Sequence, residues 1–325
     1  MAATPLLLGA LGAQQPPAPA DGESVATAGA STAAALPPGT PVRAVDVTDL
    51  RRRVDDLRRR CDLGNFAWTD PVIMAGATPI KAVHFNELRT AIEDAYRSCD
   101  AAPPSWNEPI TAGVTPIRAA HLTELRRWAN PPRARYRVTF ESWWSARTHP
   151  QDFPGNPHYS PLIGATHRAG APFWMPGGLA SPGMENMAET GSVSPLNDEV
   201  RAAVAAGSAG RLLRGGQLNR SPGSLSMEFD VTLAFPHVSL VTMVAPSPDW
   251  FLGVYDFPLV GADGWYQAVE KELSPWDAGT DSGETYASPD ADTVPQQRIL
   301  VLLGPPVAPP GATSSFGRFV FERIR

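Results

Sequence analysis

Cysteine is almost absent from this chain: Cys61 and Cys99 are the only two in 325 residues. A framework of several disulfides is therefore excluded, and at most one bridge can form, in an oxidising compartment. Charge is sparse at 18% and acidic in balance, with a net charge of −6 and a pI near 5.5, so there is no basic footprint for nucleic acid. The apolar run from Leu6 to Leu11 is too short to cross a bilayer and is not a transmembrane segment. No G-x-S-x-G elbow and no phosphate-cradling glycine motif occur, which removes the usual signatures of serine hydrolases and nucleotide binders. Proline, by contrast, reaches 35 residues, which predicts abundant loops and argues against a helical bundle.

At 325 residues the chain has room for two folded parts and a tail. Residues 1–38 join the short apolar run to a stretch of Ala, Pro, Gly, Ser and Thr that cannot bury a core. They read as an export remnant and a disordered spacer, without the positively charged n-region of a complete signal peptide.

Residues 39–132 contain a threefold repeat: "TPVRAVDVTDLRR" from Thr40, "TPIKAVHFNELRT" from Thr78 and "TPIRAAHLTELRR" from Thr115. Thr followed by Pro suits a helix start, with the hydroxyl as N-cap and proline at the first helical position. Ile80, Val83, Leu88 and Ile92 then fall at near-helical spacing, as do Ile117, Leu122 and Leu125. Trp68 and Trp106 anchor the intervening loops. Asp46, His84 and His121 share one repeat position, where a helix-face residue bonding a neighbouring carbonyl or carboxylate is a simpler reading than a shared metal. Cys61 and Cys99 are also equivalent, and they bridge only if stacking brings their Cα atoms within ~7 Å; the spacing leaves this open. These helical repeats look like modules of exported bacterial proteins, with a spacer or docking role.

From residue 134 to 325 the period changes to two. "YRVTFESWW", "LSMEFDVTLAF", "VSLVTMVA", "WFLGVYDFPLV", "RILVLLG" and "FGRFVFERI" read as strands, and "SPLNDEVRAAVAAGSAG" as the one helix among them, capped by Ser194 with Pro195 at its first position. Many strands with little helix between them predict a mainly β chain built on an antiparallel sandwich.

Four motifs in this part, "HPQDFPGNPHYSPLIGATH" (149–167), "GGLASPGMENMAETG" (177–191), "APSPDWFLGV" (245–254) and "SPWDAGTDSGETY" (274–286), together resemble the spondin N-terminal domain of F-spondin and mindin, over roughly residues 136 to 300. The resemblance implies a C2-like antiparallel β-sandwich, secreted or at the cell surface, that holds Ca2+ at one end and serves adhesion or matrix binding; the missing enzyme motifs separately make the chain read as a binder and not an enzyme. It places the calcium ligands on Asp249, Asp277 and Asp281, and its partner would be an extracellular matrix or cell-surface ligand. A calcium ion on such a sandwich can also bridge to acidic lipid head groups, whereas a mostly satisfied site is structural. The chain lacks the thrombospondin-type repeats of the animal proteins and any cysteine beyond Cys99, so their partners do not carry over.

The residues themselves support a hard cation. Calcium takes six to eight oxygens from carboxylates, carbonyls and water. Asp277 and Asp281 lie on one tight loop turned by Gly279 and Gly283, and Asp249 arrives from another loop stiffened by Pro246 and Pro248. Trp250, Trp265 and Trp276 are candidates to wall the site. The bland alternative is a pair of Asx-turns, each aspartate capping its own backbone. Two other functions compete. One is a metal-dependent hydrolase using His149, His158 and His167; the other is a purely architectural role for the repeats. Glu185 and Glu189 could pass for a catalytic carboxylate pair, but capping, or bonding to the histidine loop, accounts for them more simply.

Overall fold

The structure is a computed structural model, and it describes residues 40–261, 264–308 and 315–325. The expected export remnant and spacer lie outside the described residues.

Three helices come first: α1 (Ala44–Arg60), α2 (Ala82–Ser98) and α3 (Ala119–Trp128). Each starts four residues after the threonine of a Thr-Pro pair, so threonine is not the N-cap. The cap residues are Arg43, Lys81 and Arg118, all in extended conformation. Their backbone N–H groups donate to the side chain three residues on, Asp46 Oδ2 (2.9 Å), His84 Nδ1 (3.3 Å) and His121 Nδ1 (3.1 Å). The threonine hydroxyls close the preceding turn instead, with Thr78 Oγ1 accepting from Met74 N and Thr115 Oγ1 from Thr111 N. That explains the repeated position. The imidazole accepts through Nδ1 and places Nε2 on a loop carboxylate, 3.0 Å from Asp70 and 2.8 Å from Glu108. Asp46 instead pairs with Arg126 at 3.0 Å. The buried Arg51 and Arg89 lie over Trp68 and Trp106 and donate to loop carbonyls, which pins each tryptophan loop to the helix before it. Cys61 and Cys99 form a disulfide, with their Cα atoms 5.1 Å apart.

The β region comprises β1 (Arg133–Ser142), β2 (His158–Tyr159), β3 (Ile163–His167), β4 (Ala209–Arg214), β5 (Gly223–Thr232), β6 (His237–Ala245), β7 (Trp250–Pro258), β8 (Val260–Gly261), β9 (Gly264–Trp265), β10 (Ala268–Leu273), β11 (Trp276–Asp277), β12 (Leu300–Val301) and β13 (Gly317–Arg323). One antiparallel sheet has the order β10-β13-β1-β5 and the other β12-β11-β7-β6-β3-β4, with β2 also on β6. Alternation in β1 and β13 turns Tyr136, Val138, Phe140, Phe319 and Phe321 into a shared core with Leu240, Leu252 and Val254 of the second sheet. This is the two-layer packing of a β-sandwich. Strands β3 and β6 are buried along almost their whole length because neighbouring strands and helices cover both faces.

Two helices lie between β3 and β4, α4 (Pro182–Thr190) and α5 (Leu196–Ala205). Only the second is expected from the sequence. Ser181 Oγ accepts from Met184 N, Pro182 opens α4 and Gly191 closes it at φ 70°, so its start and stop signals are complete. Helix α5 begins one residue later than expected, with Pro195 rather than Ser194 at the cap. The helical region docks on the sandwich through a continuous core, with Tyr96 Oη donating to Asn130 O (3.0 Å) and Trp265 Nε1 to Pro131 O (2.8 Å).

Candidate metal site

Asp249 ends the loop entering β7, and Asp277 ends β11, the strand paired with β7 through Asp277 opposite Trp250. Antiparallel pairing thus brings two distant segments to one end of the sandwich. The turn after β11 needs Gly279: its φ is 76°, and a Cβ there would stand 2.5 Å from Gln297 O. The turn is tied down by Gln297 N donating to Gly279 O and Thr293 N to Thr280 O.

Asp249 is fully buried. Its Oδ2 accepts from Thr280 N (2.8 Å) and Asp281 N (3.2 Å), with the Thr280 hydroxyl at 3.3 Å. Its Oδ1 is buried and has no hydrogen-bond partner. Asp277 Oδ1 accepts from Gly279 N and Asp281 Oδ1 from Gly283 N, each at 2.7 Å. Both aspartates therefore make Asx-turns, and both stand beside Asp249. The Asx-turns of the bland alternative are therefore present, next to the Asp249 carboxylate. The second oxygen of Asp281 accepts from Ala291 N at 3.1 Å.

The cluster is electrostatically loaded. Burial, followed by the nearby Asp249 charge, pushes the Asp277 carboxyl up to about 6, with Asp281 adding to the effect. Burial likewise raises Asp249, against the pull of the Thr280 and Asp281 amides. A further carboxylate, not expected from the sequence, stands close by. Glu189 on α4 is half-buried beside Thr280, Asp249 and Asp281, and burial raises its pKa as well. Glu185 and Glu189 are four apart on one helix, which was the only available signal. Glu189 faces this cluster, so the expected bond to the histidine loop is replaced.

Asp277 and Asp281 line a cavity of about 510 Å3 together with Asp152 and Glu284, while Asp249 lies behind them. Trp250 packs on Tyr286 beneath this end, with ring centroids 5.1 Å apart, and Trp276 packs on Trp174 at 5.5 Å. Trp265 is not at the site; it sits at the opposite end against Pro131. Among the described residues no group of three or more His, Cys, Asp or Glu side chains stands ready as a metal cage. The chemistry nevertheless fits a hard cation: the donors are all oxygens, one buried carboxylate oxygen is orphaned, and burial beside Asp249 makes the charged form of Asp277 costly without a positive partner.

His149, His158 and His167 are not brought together. His149 packs on Phe316 at 4.4 Å, where burial lowers its pKa to about 4. His158 Nδ1 is 2.8 Å from Asn156 O, and His167 lies between Arg168 O and Ser239 Oγ at 2.8 Å each.

Residues 134–308, more than half of the chain, match the family described as Spondin_N. The chain is 39% identical over 207 residues to Spondin-1 of Gallus gallus and 38% identical over 207 residues to Spondin-1 of Homo sapiens; each match covers 59% of this chain and 25% of the relative. Spondin-2 of Homo sapiens is 34% identical over 170 residues, covering 51% of each chain. The chain thus matches about a quarter of the length of the Spondin-1 proteins and about half of Spondin-2.

Proposed function

The chain belongs to the Spondin_N family, and on that premise we propose that it is a secreted or cell-surface adhesion module, without enzymatic activity, whose sandwich binds Ca2+ through Asp249, Asp277 and Asp281. The observation that carries this reading is the buried, unpartnered Oδ1 of Asp249 inside a group of carboxylates. Burying like charges without a counter-ion is unfavourable, and a divalent cation removes the penalty. The ion would take oxygens from the three aspartates, with Glu189 close by. The structural chemistry a bound cation supplies is charge neutralisation; the chain's own residues do the positioning. Asp249 holds the 280–281 backbone, Gly279 and Gly283 set the turn, and the 282–297 segment folds over it.

The sandwich is C2-like, and the ion orders the apical loops that contact an extracellular matrix or cell-surface ligand. The helical units, which resemble modules of exported bacterial proteins, act as a spacer. The Cys61–Cys99 disulfide supports an oxidising location, and no helix among the described residues is long and apolar enough to cross a membrane. The test is attachment of the full chain to surfaces coated with extracellular matrix protein. Retention is expected in calcium and should drop on chelation or in Asp281→Asn. Equal retention of the parent and the variant, with and without chelator, contradicts the proposal.

A further inference from the structure

A second cleft lies where the helical region meets the sandwich. It has a volume of about 540 Å3 and is lined by Arg60, Cys61 and Cys99 at the ends of α1 and α2, by Arg133 at the start of β1, and by Trp265 and Arg323 from β9 and β13. Arg325 borders it as well. Although the chain carries a net charge of −6, no Asp or Glu is among the residues that line it. Arg323 donates to Gln267 Oε1 at 3.0 Å, not to a carboxylate. Arg60 and Arg133 are exposed and make no ion pair among the described residues. The adjoining cavity, which shares Arg133 and Arg325 with this one, shows the contrast. There Arg135 and Arg211 both clasp Asp230, at 3.2 and 3.0 Å, so those guanidinia are already neutralised.

Guanidinia gathered in one recess repel each other, and an oxyanion accepting their planar forks converts that repulsion into charge-assisted hydrogen bonds. The volume lies within the range of small-ligand sites, roughly 300–1,000 Å3. Trp265 and Ile324 give the cleft an apolar wall against which the body of a ligand can rest. From these features we infer that the cleft binds a small ligand carrying more than one sulfate or phosphate ester. The site is composite: Arg60 comes from the helical region, its turn fixed by the Cys61–Cys99 bridge, and Arg133 and Arg323 come from the sandwich. It is also remote from Asp249, because β7 runs from Trp250 beside the acidic end to Pro258 near β9, eight steps of ~3.3 Å or roughly 26 Å. The inference does not depend on the cation.

The experiment is calorimetric titration of the full chain in physiological salt with three probes: a fully sulfated disaccharide, the same disaccharide unsulfated, and inositol hexakisphosphate. One or both of the charged probes should bind at one per chain and the unsulfated sugar should not; the tighter of the two identifies the ester. Arg60→Glu and Arg133→Ala, both at exposed positions, should each weaken binding by about tenfold or more, whereas Arg211→Ala should match the parent. The inference is overturned if neither charged probe binds, if the unsulfated sugar binds equally, or if Arg211→Ala weakens binding as much as Arg133→Ala. Thermal melts of each variant separate lost binding from lost folding, and an unchanged calcium response keeps this result distinct from the proposal for Asp249.

Discussion

Asp249 Oδ2 accepts the amide N–H of Thr280 at 2.8 Å, so a residue entering β7 and the turn leaving β11 form one unit. The same carboxylate leaves its other oxygen buried and unpartnered. Asp249→Asn keeps an acceptor for the two amides and removes the charge. Without calcium its stability should stay within about 1 kcal/mol of the parent, while the calcium-induced rise in melting temperature should disappear. Melts with and without calcium measure both effects.

The acidic end should respond to pH with a definite sign. The folded-state pKa of Asp277 is raised from 3.8 to about 6, so between these values the native state holds the proton more tightly than the unfolded chain. This group stabilises the fold below about 4 and loses that contribution as pH rises through about 6. His149, lowered to about 4 by burial, acts in the opposite direction over the same window. The comparison must therefore be a difference: in the absence of calcium, Asp277→Asn should gain melting temperature relative to the parent as pH rises from 4 to 6.5. A flat difference would show that Asp277 carries no such load.

Gly279 is irreplaceable on steric grounds. Gly279→Ala forces a side chain into a left-handed conformation and against the Gln297 carbonyl. It should cost at least about 2 kcal/mol in urea unfolding and abolish the calcium response, because the turn that presents Asp277 and Asp281 must shift.

The helical region depends on its bridge. Replacing Cys61 and Cys99 together by alanine opens a 38-residue loop, which loop entropy values at about 4 kcal/mol. Denaturant unfolding followed by helical circular dichroism should show that loss in the helical region. An unchanged midpoint would mean that packing of Tyr96 and its neighbours suffices without the bridge.

Much of this architecture can be read from the chain alone, for physical reasons that differ by element. Strands β1, β5 and β13 have one face in the core, and their alternation is plain. Strand β3 is buried on both faces and only five residues long, so it carries no period to detect. Helix α4 carries every capping signal in Ser181, Pro182 and Gly191, but at nine residues it is too short for a helical period to stand out. Thr40, Thr78 and Thr115 misled because threonine serves a turn as readily as a helix cap, and the true cap bond comes from Asp46, His84 and His121. At the site, the Asp277 and Asp281 pair was visible in its spacing. Glu189 was not, because only the packing of α4 brings it beside a turn some ninety residues later.

The most direct measurement is calorimetric titration of calcium into the full chain, beside Asp249→Asn and Asp281→Asn. We expect one calcium per chain in the parent, with stabilisation of about 2.7 kcal/mol at a hundredfold excess over the dissociation constant, and loss of most of both in each variant. A parent chain that neither takes up calcium nor gains melting temperature from it would contradict the account.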